Sequence, residues 1–321
     1  MTILVTGAAG FVGYHTCLAL LKEGAEVIGI DNLNAYYDPR LKQNRLDQLR
    51  QKKNFTFFRM DLCDLLAENA LSDVSARITG IVHLAAQAGV RYSVRNPEAF
   101  VHSNVQGHVA VLEFARRLPR LKHLVYASSS SVYGRNTQLP FRETDRVDVP
   151  GSFYAVTKRS GELTAESYSH LYGLPQTGLR FFTIYGPWGR PDMAYYSFAR
   201  AMTLGDEVTL YEGDSLARDF TYISDAVRAV LLVLVRPPAH GTARILNVGS
   251  DHPESVRHMV HLLEKGLGCK AHLRLLPRPQ ADVEKTWACV ERLHELTGWR
   301  SEVSFEEGLS AFTQWFRAYE D

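Results

Sequence analysis

The sequence lacks both a strong net charge and a long hydrophobic run. Its 36 basic and 35 acidic residues leave a formal net charge of +1, so no field of one sign is available to attract nucleic acid or an anionic membrane. The longest apolar run, Ala229–Val235, is far shorter than the roughly 20 residues that a bilayer-spanning helix needs. We therefore expect no nucleic-acid partner and no membrane partner.

Cysteine is also scarce. The four cysteines, Cys17, Cys63, Cys269 and Cys289, stand far apart, with neither metal-ligand spacing nor the repeats of a disulfide framework. This usage favours reduced thiols in a cytoplasmic protein and predicts no metal site. The start of the chain, MTILVTGAAG, predicts a strand and a turn instead of a basic leader with an apolar core, so we expect no export signal.

Short apolar segments alternate with helical patterns through the first half of the chain. The predicted helices between the strands include Phe11–Lys22, Pro97–Arg117 and Tyr154–Tyr172. This alternation predicts an α/β fold, a doubly wound parallel sheet of the Rossmann type with helices on both faces. The predicted strands are Thr2–Thr6, Glu26–Ile30, Phe55–Met60, Ile81–Leu84, Leu124–Ala127 and one within Gln176–Phe182.

The pattern changes after about Pro187, where the predicted strands and helices become shorter and less regular. We predict a Rossmann domain at residues 1–187 and a smaller mixed C-terminal lobe, for a substrate, at residues 188–321. Residues 219–249 contain a strand and a helix that are expected to return to the first domain. The sequence contains no internal repeat.

A glycine-rich turn, TGAAGFVG, stands between the first predicted strand and the first predicted helix. Gly7, Gly10 and Gly13 allow the backbone to turn with positive φ and to approach a ligand closely. The amides at the start of the helix then face a pyrophosphate, as in dinucleotide-binding domains. Asp31 ends the second strand, 18 residues beyond Gly13; a carboxylate there accepts the ribose hydroxyls and repels a 2′-phosphate, which favours NAD over NADP.

Two further segments are candidates for contact with the same dinucleotide. Asp61 ends the third predicted strand, where its carboxylate or the Leu62 amide could contact adenine, although Asp61 could equally cap a short helix. The small residues of LAAQAG, Leu84–Gly89, follow the fourth strand. They would let a dinucleotide pass closely, or they could simply permit tight packing.

Tyr154 and Lys158 stand four residues apart in a predicted helix, so both side chains lie on one face. A phenol has an ordinary pKa of about 10, and a neighbouring ammonium lowers that pKa by stabilising the phenolate. Such a pair can act as a general base on a hydroxyl, although the same spacing also occurs on exposed helix faces. The context favours the catalytic interpretation, because Ser129, Ser130 and Ser131 follow the fifth strand at the sheet edge where such folds bind ligands.

Together, the glycine turn, Asp31, the SSSSVYG segment and the Tyr154–Lys158 pair resemble the extended short-chain dehydrogenase/reductase family over nearly the whole chain. The resemblance implies a tightly bound NAD, a UDP-sugar substrate and a homodimer formed through helices Pro97–Arg117 and Tyr154–Tyr172. Within the family, three long segments are similar to enzymes that epimerise UDP-glucuronate at C4: Asp31–Leu46, His83–Pro97 and Arg180–Ala194.

The resemblance also implies a role for each matching residue. Tyr154 would remove the proton of the sugar 4-hydroxyl, Lys158 would tune Tyr154 and hold the nicotinamide ribose, and Ser129 would share the reacting hydrogen bond. The resulting 4-keto sugar would rotate and be reduced on its other face, so that NAD is regenerated. The implied cofactor-binding residues are Gly7, Gly10, Phe11, Val12, Gly13, Asp31, Asn32, Asp61, Leu62, Leu84, Ala85, Ala86, Gln87, Asn104, Tyr154 and Lys158.

The substrate is inferred from fewer residues. Thr183 stands where galactose-type epimerases carry asparagine, and its hydroxyl could bind a C5 carboxylate together with the serines. Arginine suits bidentate recognition of a carboxylate or a diphosphate, although an exposed arginine is otherwise a solvated charge. The substrate-binding candidates are Ser129, Ser130, Ser131, Thr183, Arg91, Arg190, Arg218 and Arg278.

More than one reaction is compatible with the sequence. A 4-keto glucuronate is a β-keto acid, so UDP-glucuronate decarboxylation is the nearest rival. Relatives that decarboxylate or dehydrate carry an acid just before VYG, where this chain has Ser131. The sequence also leaves open 4-epimerisation of UDP-glucose or UDP-N-acetylglucosamine, net oxidation or reduction with exchangeable NAD(H), and a catalytically dead NAD-binding regulatory protein.

Overall fold

The computed structural model describes residues 1–211, 216–277 and 284–320, which form two compact units. The first unit comprises Met1–Asn136, Arg146–Phe181 and Val227–Leu246, and the second comprises Thr137–Asp145, Phe182–Ala226 and Asn247–Asp321. The division differs from the boundary expected at Pro187, because the strand Thr183–Tyr185 pairs within the second unit. Of the segment 219–249, residues 227–246 lie in the first unit.

The strands and helices alternate along most of the first unit. The strands, in chain order, are β1 (Thr2–Thr6), β2 (Glu26–Asp31), β3 (Phe55–Arg59), β4 (Gly80–His83), β5 (His123–Ser129), β6 (Gln176–Phe181), β7 (Thr183–Tyr185), β8 (Glu207–Tyr211), β9 (Ala217–Tyr222), β10 (Ala243–Val248), β11 (Pro253–Ser255) and β12 (His272–Leu276). The α-helices are α1 (Phe11–Lys22), α2 (Pro39–Arg50), α3 (Ser72–Ser75), α4 (Tyr92–Arg95), α5 (Pro97–Phe100), α6 (Gly107–Ala115), α7 (Phe153–Tyr172), α8 (Ala194–Leu204), α9 (Ile223–Leu234), α10 (Val256–Leu267), α11 (Glu291–Thr297) and α12 (Phe305–Glu320).

The first unit is built on a seven-stranded sheet in the order β10-β6-β5-β4-β1-β2-β3. The strands run parallel, for example β1 beside both β2 and β4, which confirms the Rossmann-type fold predicted from the sequence. All five residues of β1 are buried, because a strand with helices on both faces has no side open to water. The strand order reverses between β1 and β4, and open parallel sheets bind ligands beyond the carboxyl ends of the strands at such a point.

The second unit contains two small sheets, β11-β9-β7 and β12-β8. Strand β11 pairs antiparallel with β9, whereas β7 pairs parallel with it, so this unit has the mixed character predicted for the C-terminal lobe. Helices α8, α10 and α12 bury an aromatic core against these strands. Its fully buried rings include Tyr185, Tyr195, Tyr196, Phe312 and Phe316.

The carboxylate of Asp225 holds a turn in the second unit. Asp225 is buried, and its Oδ2 accepts hydrogen bonds from Ser301 Oγ and from the backbone N–H groups of Glu302 and Val303, each at 3.0 Å. We expect Asp225→Ala to lower the free energy of unfolding by about 2 kcal/mol, because three donors of the turn would lose a charged acceptor. Thermal unfolding measures the effect. The control is Asp206→Ala, at an exposed position after α8, which should leave the melting temperature nearly unchanged. Equal melting temperatures for the two variants would contradict this account.

Candidate active site

The turn between β1 and α1 is built so closely that glycine is required in it. Gly7 has a φ of +72° and donates its N–H to Ile30 O at 2.8 Å. A Cβ added to Gly13 would overlap the carbonyl oxygen of Gly7, and one added to Gly7 would lie 2.7 Å from the backbone nitrogen of Ala85. Gly10, the N-cap residue, makes no side-chain cap. The first amides of α1 are thus available to an anion.

The end of β2 fixes a carboxylate beside this turn. Asp31 is buried, and its two oxygens accept the backbone N–H groups of Ala9 at 3.2 Å and Leu33 at 2.8 Å. The neighbouring Asn32 donates its side-chain amide to Asp61 at 2.9 Å. The structure therefore brings the predicted Asp31, Asn32 and Asp61 into one connected group at the carboxyl ends of β2 and β3.

Asp61 caps a short helix, which was one of the two roles that its position in the sequence allowed. Its carboxylate accepts the backbone N–H of Cys63 at the start of the 3₁₀ turn Leu62–Leu66, in a capping box with Asp64. Partial burial tends to raise the pKa of Asp61, but the hydrogen bonds from Cys63, Asn32 and His102 lower it overall. An adenine contact from the Asp61 carboxylate stays a prediction, and Leu62 is buried beside it.

The same region holds three potential metal ligands that the sequence spacing did not suggest. One ligand atom each from Asp61, Cys63 and His102 lie within 4.8 Å of one another. His102 bridges the other two: its Nε2 lies 3.0 Å from Asp61 Oδ1, and its Nδ1 lies 4.0 Å from Cys63 Sγ. Because the two ring nitrogens face different partners, this arrangement is that of a hydrogen-bonded cluster.

The helix predicted at Pro97–Arg117 is broken by a π-helical segment, Val101–Gln106, between α5 and α6. π-bulges occur often at functional sites. Here Asn104 is buried and bonds in two directions: it accepts the N–H of Gln87 at 2.8 Å, and it donates to Gln87 O at 2.9 Å and to Thr157 Oγ1 at 3.0 Å. The loop after β4, with its candidate residues Leu84–Gln87, is thereby tied to helix α7.

Helix α7 places Tyr154 and Lys158 together, as predicted. Lys158 is buried, its ammonium donates to Ala127 O at 2.8 Å, and its Nζ lies 5.9 Å from the centre of the Tyr154 ring. Burial lowers the pKa of Lys158 to about 8, while the charge of Glu162 opposes that change. The ammonium is therefore the predominant form at neutral pH, where it can stabilise a Tyr154 phenolate.

Two histidines that the sequence analysis did not select lie beneath this pair. His83 and His108 are buried with ring centres 5.2 Å apart. Burial lowers the pKa of both rings, to about 4 for His108, and the Lys158 charge acts in the same direction. Both are thus neutral at pH 7. The Thr6 hydroxyl lies 2.7 Å from His83 Nδ1, which ties this layer to the end of β1.

Strand β5 is longer than predicted and ends at Ser129, which caps the 3₁₀ turn Ser130–Tyr133, so only Ser130 and Ser131 follow the strand. The Ser129 hydroxyl accepts the N–H of Ser131 and donates to its hydroxyl, each at 3.1 Å. Ser130 and Ser131 are half-buried. Ser128, which the sequence analysis passed over, points the other way and donates to Glu162 at 2.6 Å.

The remaining substrate candidates belong to different units of the chain. Arg91 is exposed in the first unit. In the second unit, half-buried Thr183 begins β7, Arg190 forms a bidentate pair with Asp192 at 2.8–3.0 Å, and Arg218 donates to the carbonyl oxygens of Ala217 and Glu284. Arg278 lies outside the described residues. The role of each in binding a substrate stays a prediction.

Comparison with known proteins gives this geometry a family. The sequence profile described as the NAD dependent epimerase/dehydratase family matches residues 3–249. The chain belongs to this family. Among the helices described, none combines the length and apolar composition of a membrane span.

Relatives and solved structures match almost the whole chain. UDP-glucuronate 4-epimerase 1 of Arabidopsis thaliana is 45% identical over 99% of this chain and 77% of its own length. The structure of UDP-glucuronic acid 4-epimerase from Bacillus cereus, in complex with UDP-glucuronic acid and NAD, is 32% identical with a TM-score of 0.91, covering 99% of both chains. UDP-glucose 4-epimerase from Thermotoga maritima, with UDP-glucose, is 31% identical with a TM-score of 0.88, covering both chains completely.

The residues of the first unit fit NAD. At the turn of Gly7–Gly13, a Cβ on Gly13 would overlap the carbonyl oxygen of Gly7, so only glycine lets the backbone form the tight turn that presents the first amides of α1 to a pyrophosphate. The buried carboxylate of Asp31 stands where ribose hydroxyls are bound in such folds. These residues would hold the pyrophosphate and the adenosine ribose, and Lys158 the second ribose.

We expect Gly13→Ala to lower the amount of NAD that copurifies with the protein by about tenfold or more, because a steric penalty of about 1.4 kcal/mol already corresponds to that factor. NAD released on denaturation, measured per mole of protein, checks this. Gly161→Ala is the matched control, since its added methyl group would lie 3.7 Å from His108, an ordinary contact. Equal NAD content in the two variants would contradict the assignment of the turn.

Proposed function

We propose that this protein catalyses the NAD-dependent 4-epimerisation of UDP-glucuronate to UDP-galacturonate. The observation that carries the proposal is the buried Lys158 ammonium beside Tyr154, at the sheet edge that also carries the glycine turn and the serines. The A. thaliana relative and the B. cereus structure, named as UDP-glucuronate 4-epimerases, support the substrate. The reaction is redox-neutral, so the enzyme is an isomerase.

Tyr154 is the group that exchanges a proton with the sugar 4-hydroxyl. The Lys158 ammonium stabilises its phenolate, so that the phenol can give up its proton near neutral pH. Ser129 and Ser131 form a pair of hydroxyls that can hydrogen-bond the same oxygen as it becomes a carbonyl. NAD supplies the reversible hydride acceptor when it is bound. Because Tyr154 both takes and returns the proton, no net acid or base is consumed.

The choice of epimerisation over decarboxylation rests on the turn after β5. Ser131 occupies the position before Val132, and a hydroxyl there orients a carboxylate without protonating it. We propose that the Ser131 hydroxyl holds the C5 carboxylate in an orientation that disfavours loss of CO₂ from the 4-keto sugar. Thr183, in the second unit, stays a separate candidate for binding a substrate carboxylate. The UDP-glucose 4-epimerase of T. maritima makes the neutral sugar the second candidate substrate.

We expect the purified protein to convert UDP-glucuronate to UDP-galacturonate without added cofactor. Tyr154→Phe should lower kcat by about 10³-fold while NAD content is retained, since the phenol would no longer exchange the proton. A proton NMR time course measures both, because the sugar signals distinguish the two C4 epimers and the carboxylate-free products.

Each product identifies a different function. UDP-xylose or a 4-keto pentose would replace the proposal with decarboxylation, and conversion of UDP-glucose or UDP-N-acetylglucosamine alone would overturn the account of the carboxylate. Turnover that requires stoichiometric added NAD would indicate net oxidation. Bound NAD with no conversion of any of these sugars would indicate a regulatory protein.

We also propose that the protein is a homodimer, on the evidence of an exposed apolar face on α7. Val156 and Leu163, two turns apart, are 42% and 56% exposed, and Leu171 follows two turns later at 63%. Large exposed apolar faces on one helix mark interaction sites, and a second copy of α7 would cover this one by two-fold symmetry.

Leu163→Arg should therefore convert the dimer to a monomer, because a charge would be buried in the interface. Sedimentation velocity at micromolar concentration measures this. Leu204→Arg is the control: it makes the same change at a leucine on α8 that is somewhat more exposed, and it should leave the dimer intact. A monomeric unmodified protein would contradict the proposal.

The cellular site that we propose is the cytoplasm. The four cysteines are free thiols, two of them buried, which suits a reducing compartment.

A further inference from the structure

A buried ion pair lies directly behind the residues assigned to the chemistry. Glu162, on α7, is 3% exposed and Arg180, on β6, is 2% exposed. They bond in a bidentate manner, with Arg180 Nε and Nη2 donating to the two carboxylate oxygens of Glu162 at 2.8 and 2.9 Å. Two further donors complete the carboxylate: Ser128 Oγ at 2.6 Å and Arg159 Nη1 at 3.0 Å.

The pair joins every element that carries a reacting group in the first unit. The hydrogen bond from Ser128 to Glu162 connects the pair to the end of strand β5, immediately before Ser129. Through the helix the pair stands one turn beyond Lys158 on the same face of α7. The Arg180 guanidinium also lies 4.9 Å from the centre of the Tyr133 ring, in the 3₁₀ turn that Ser129 caps.

We propose that Glu162 and Arg180 are positioning residues for the reaction, which hold β5, β6, α7 and the 3₁₀ turn in the arrangement that presents Ser129, Tyr154 and Lys158 to one substrate atom. This inference rests on the proposed function and assigns it two residues that touch neither substrate nor cofactor.

Stability alone does not account for such a pair. A buried ion pair pays a desolvation cost that its attraction only partly offsets, and well-packed apolar residues often hold a fold equally well. Apolar residues could not accept the hydrogen bond that orients the Ser128 hydroxyl. They also could not place a negative charge one helical turn from the Lys158 ammonium. The pair supplies both from a single carboxylate.

The surroundings of Lys158 make that charge decisive. The titratable groups that face it are Tyr154 and Glu162 on its own helix, His83 on β4 and His108 on α6. Glu162 in turn faces Arg159, Arg180 on β6 and Tyr126 on β5. Burial keeps both histidines and Tyr126 neutral at pH 7. Glu162 is thus the group that favours the charged form of Lys158.

The test is the pH profile of kcat in Glu162→Gln. Without the carboxylate the Lys158 ammonium loses its proton at lower pH, so the alkaline limb should move down by about one pH unit. At the optimum, kcat should fall about tenfold with a much smaller change in KM, because the loss is one of alignment. Arg159→Gln is the matched control: it removes a half-exposed partner of the same carboxylate and should leave the limb in place.

A second variant distinguishes a loss of positioning from a loss of the folded structure. Glu162→Gln combined with Arg180→Met removes both members of the pair, so no buried guanidinium is left without its carboxylate; this variant should fold with unchanged circular dichroism and still show the shifted limb. If either folded variant loses activity equally at every pH, or keeps the profile of the unmodified protein, the pair is structural only and the inference is overturned.

A readout independent of turnover separates this inference from the proposed function. The ultraviolet difference spectrum between the protein and its Tyr154→Phe variant follows ionisation of the Tyr154 phenol whether or not any sugar reacts. In the Glu162→Gln background that phenol should ionise at higher pH, because the stabilising ammonium is lost earlier. An unchanged phenol titration would overturn the positioning role, whereas absence of epimerisation with a shifted titration would overturn only the proposed function.

Discussion

The central constraint on this molecule is a lysine ammonium held inside the protein. Lys158 donates to the carbonyl oxygen of Ala127 at the end of β5, and burial brings its pKa down to about 8. A charge in such a place persists only if nearby groups stabilise it. The carbonyl and Glu162 do so, while His83 and His108 stay neutral and do not repel it. The hydrogen bond from Lys158 thereby joins α7 to β5.

A second constraint links the cofactor loop to the reacting helix. Asn104, in the π-helical segment Val101–Gln106, bonds both Gln87 and Thr157. Thr157 in turn donates to the carbonyl oxygen of Tyr154 at 2.9 Å. Hydrogen bonds therefore connect the segment that follows β4 to the first turn of α7. A displacement of either would move the Tyr154 side chain.

The sequence predicted the features that depend on local sequence order. An apolar strand followed by Gly7, Gly10 and Gly13 has few uses other than a close anion site, and Tyr154–Lys158 requires only helical spacing. It did not predict the break in Pro97–Arg117, because the π turn depends on tertiary partners of Asn104. Nor did it predict Glu162–Arg180: the two residues are brought together by the packing of α7 on β6, and no local pattern marks them.

The same geometry explains why one phenol can support an inversion at C4 but favours no elimination. Epimerisation takes a proton from one oxygen and returns it to that oxygen, so a single acid–base group suffices. Elimination of water needs a further group that transfers a proton to the leaving oxygen, whereas loss of CO₂ from a β-keto acid needs only a suitably aligned carboxylate. At the turn beside Tyr154, Ser129 and Ser131 bond each other, and a serine hydroxyl holds its proton too tightly to transfer it at neutral pH. In the proposed reaction these hydroxyls orient the 4-keto intermediate, so that hydride and proton return at C4.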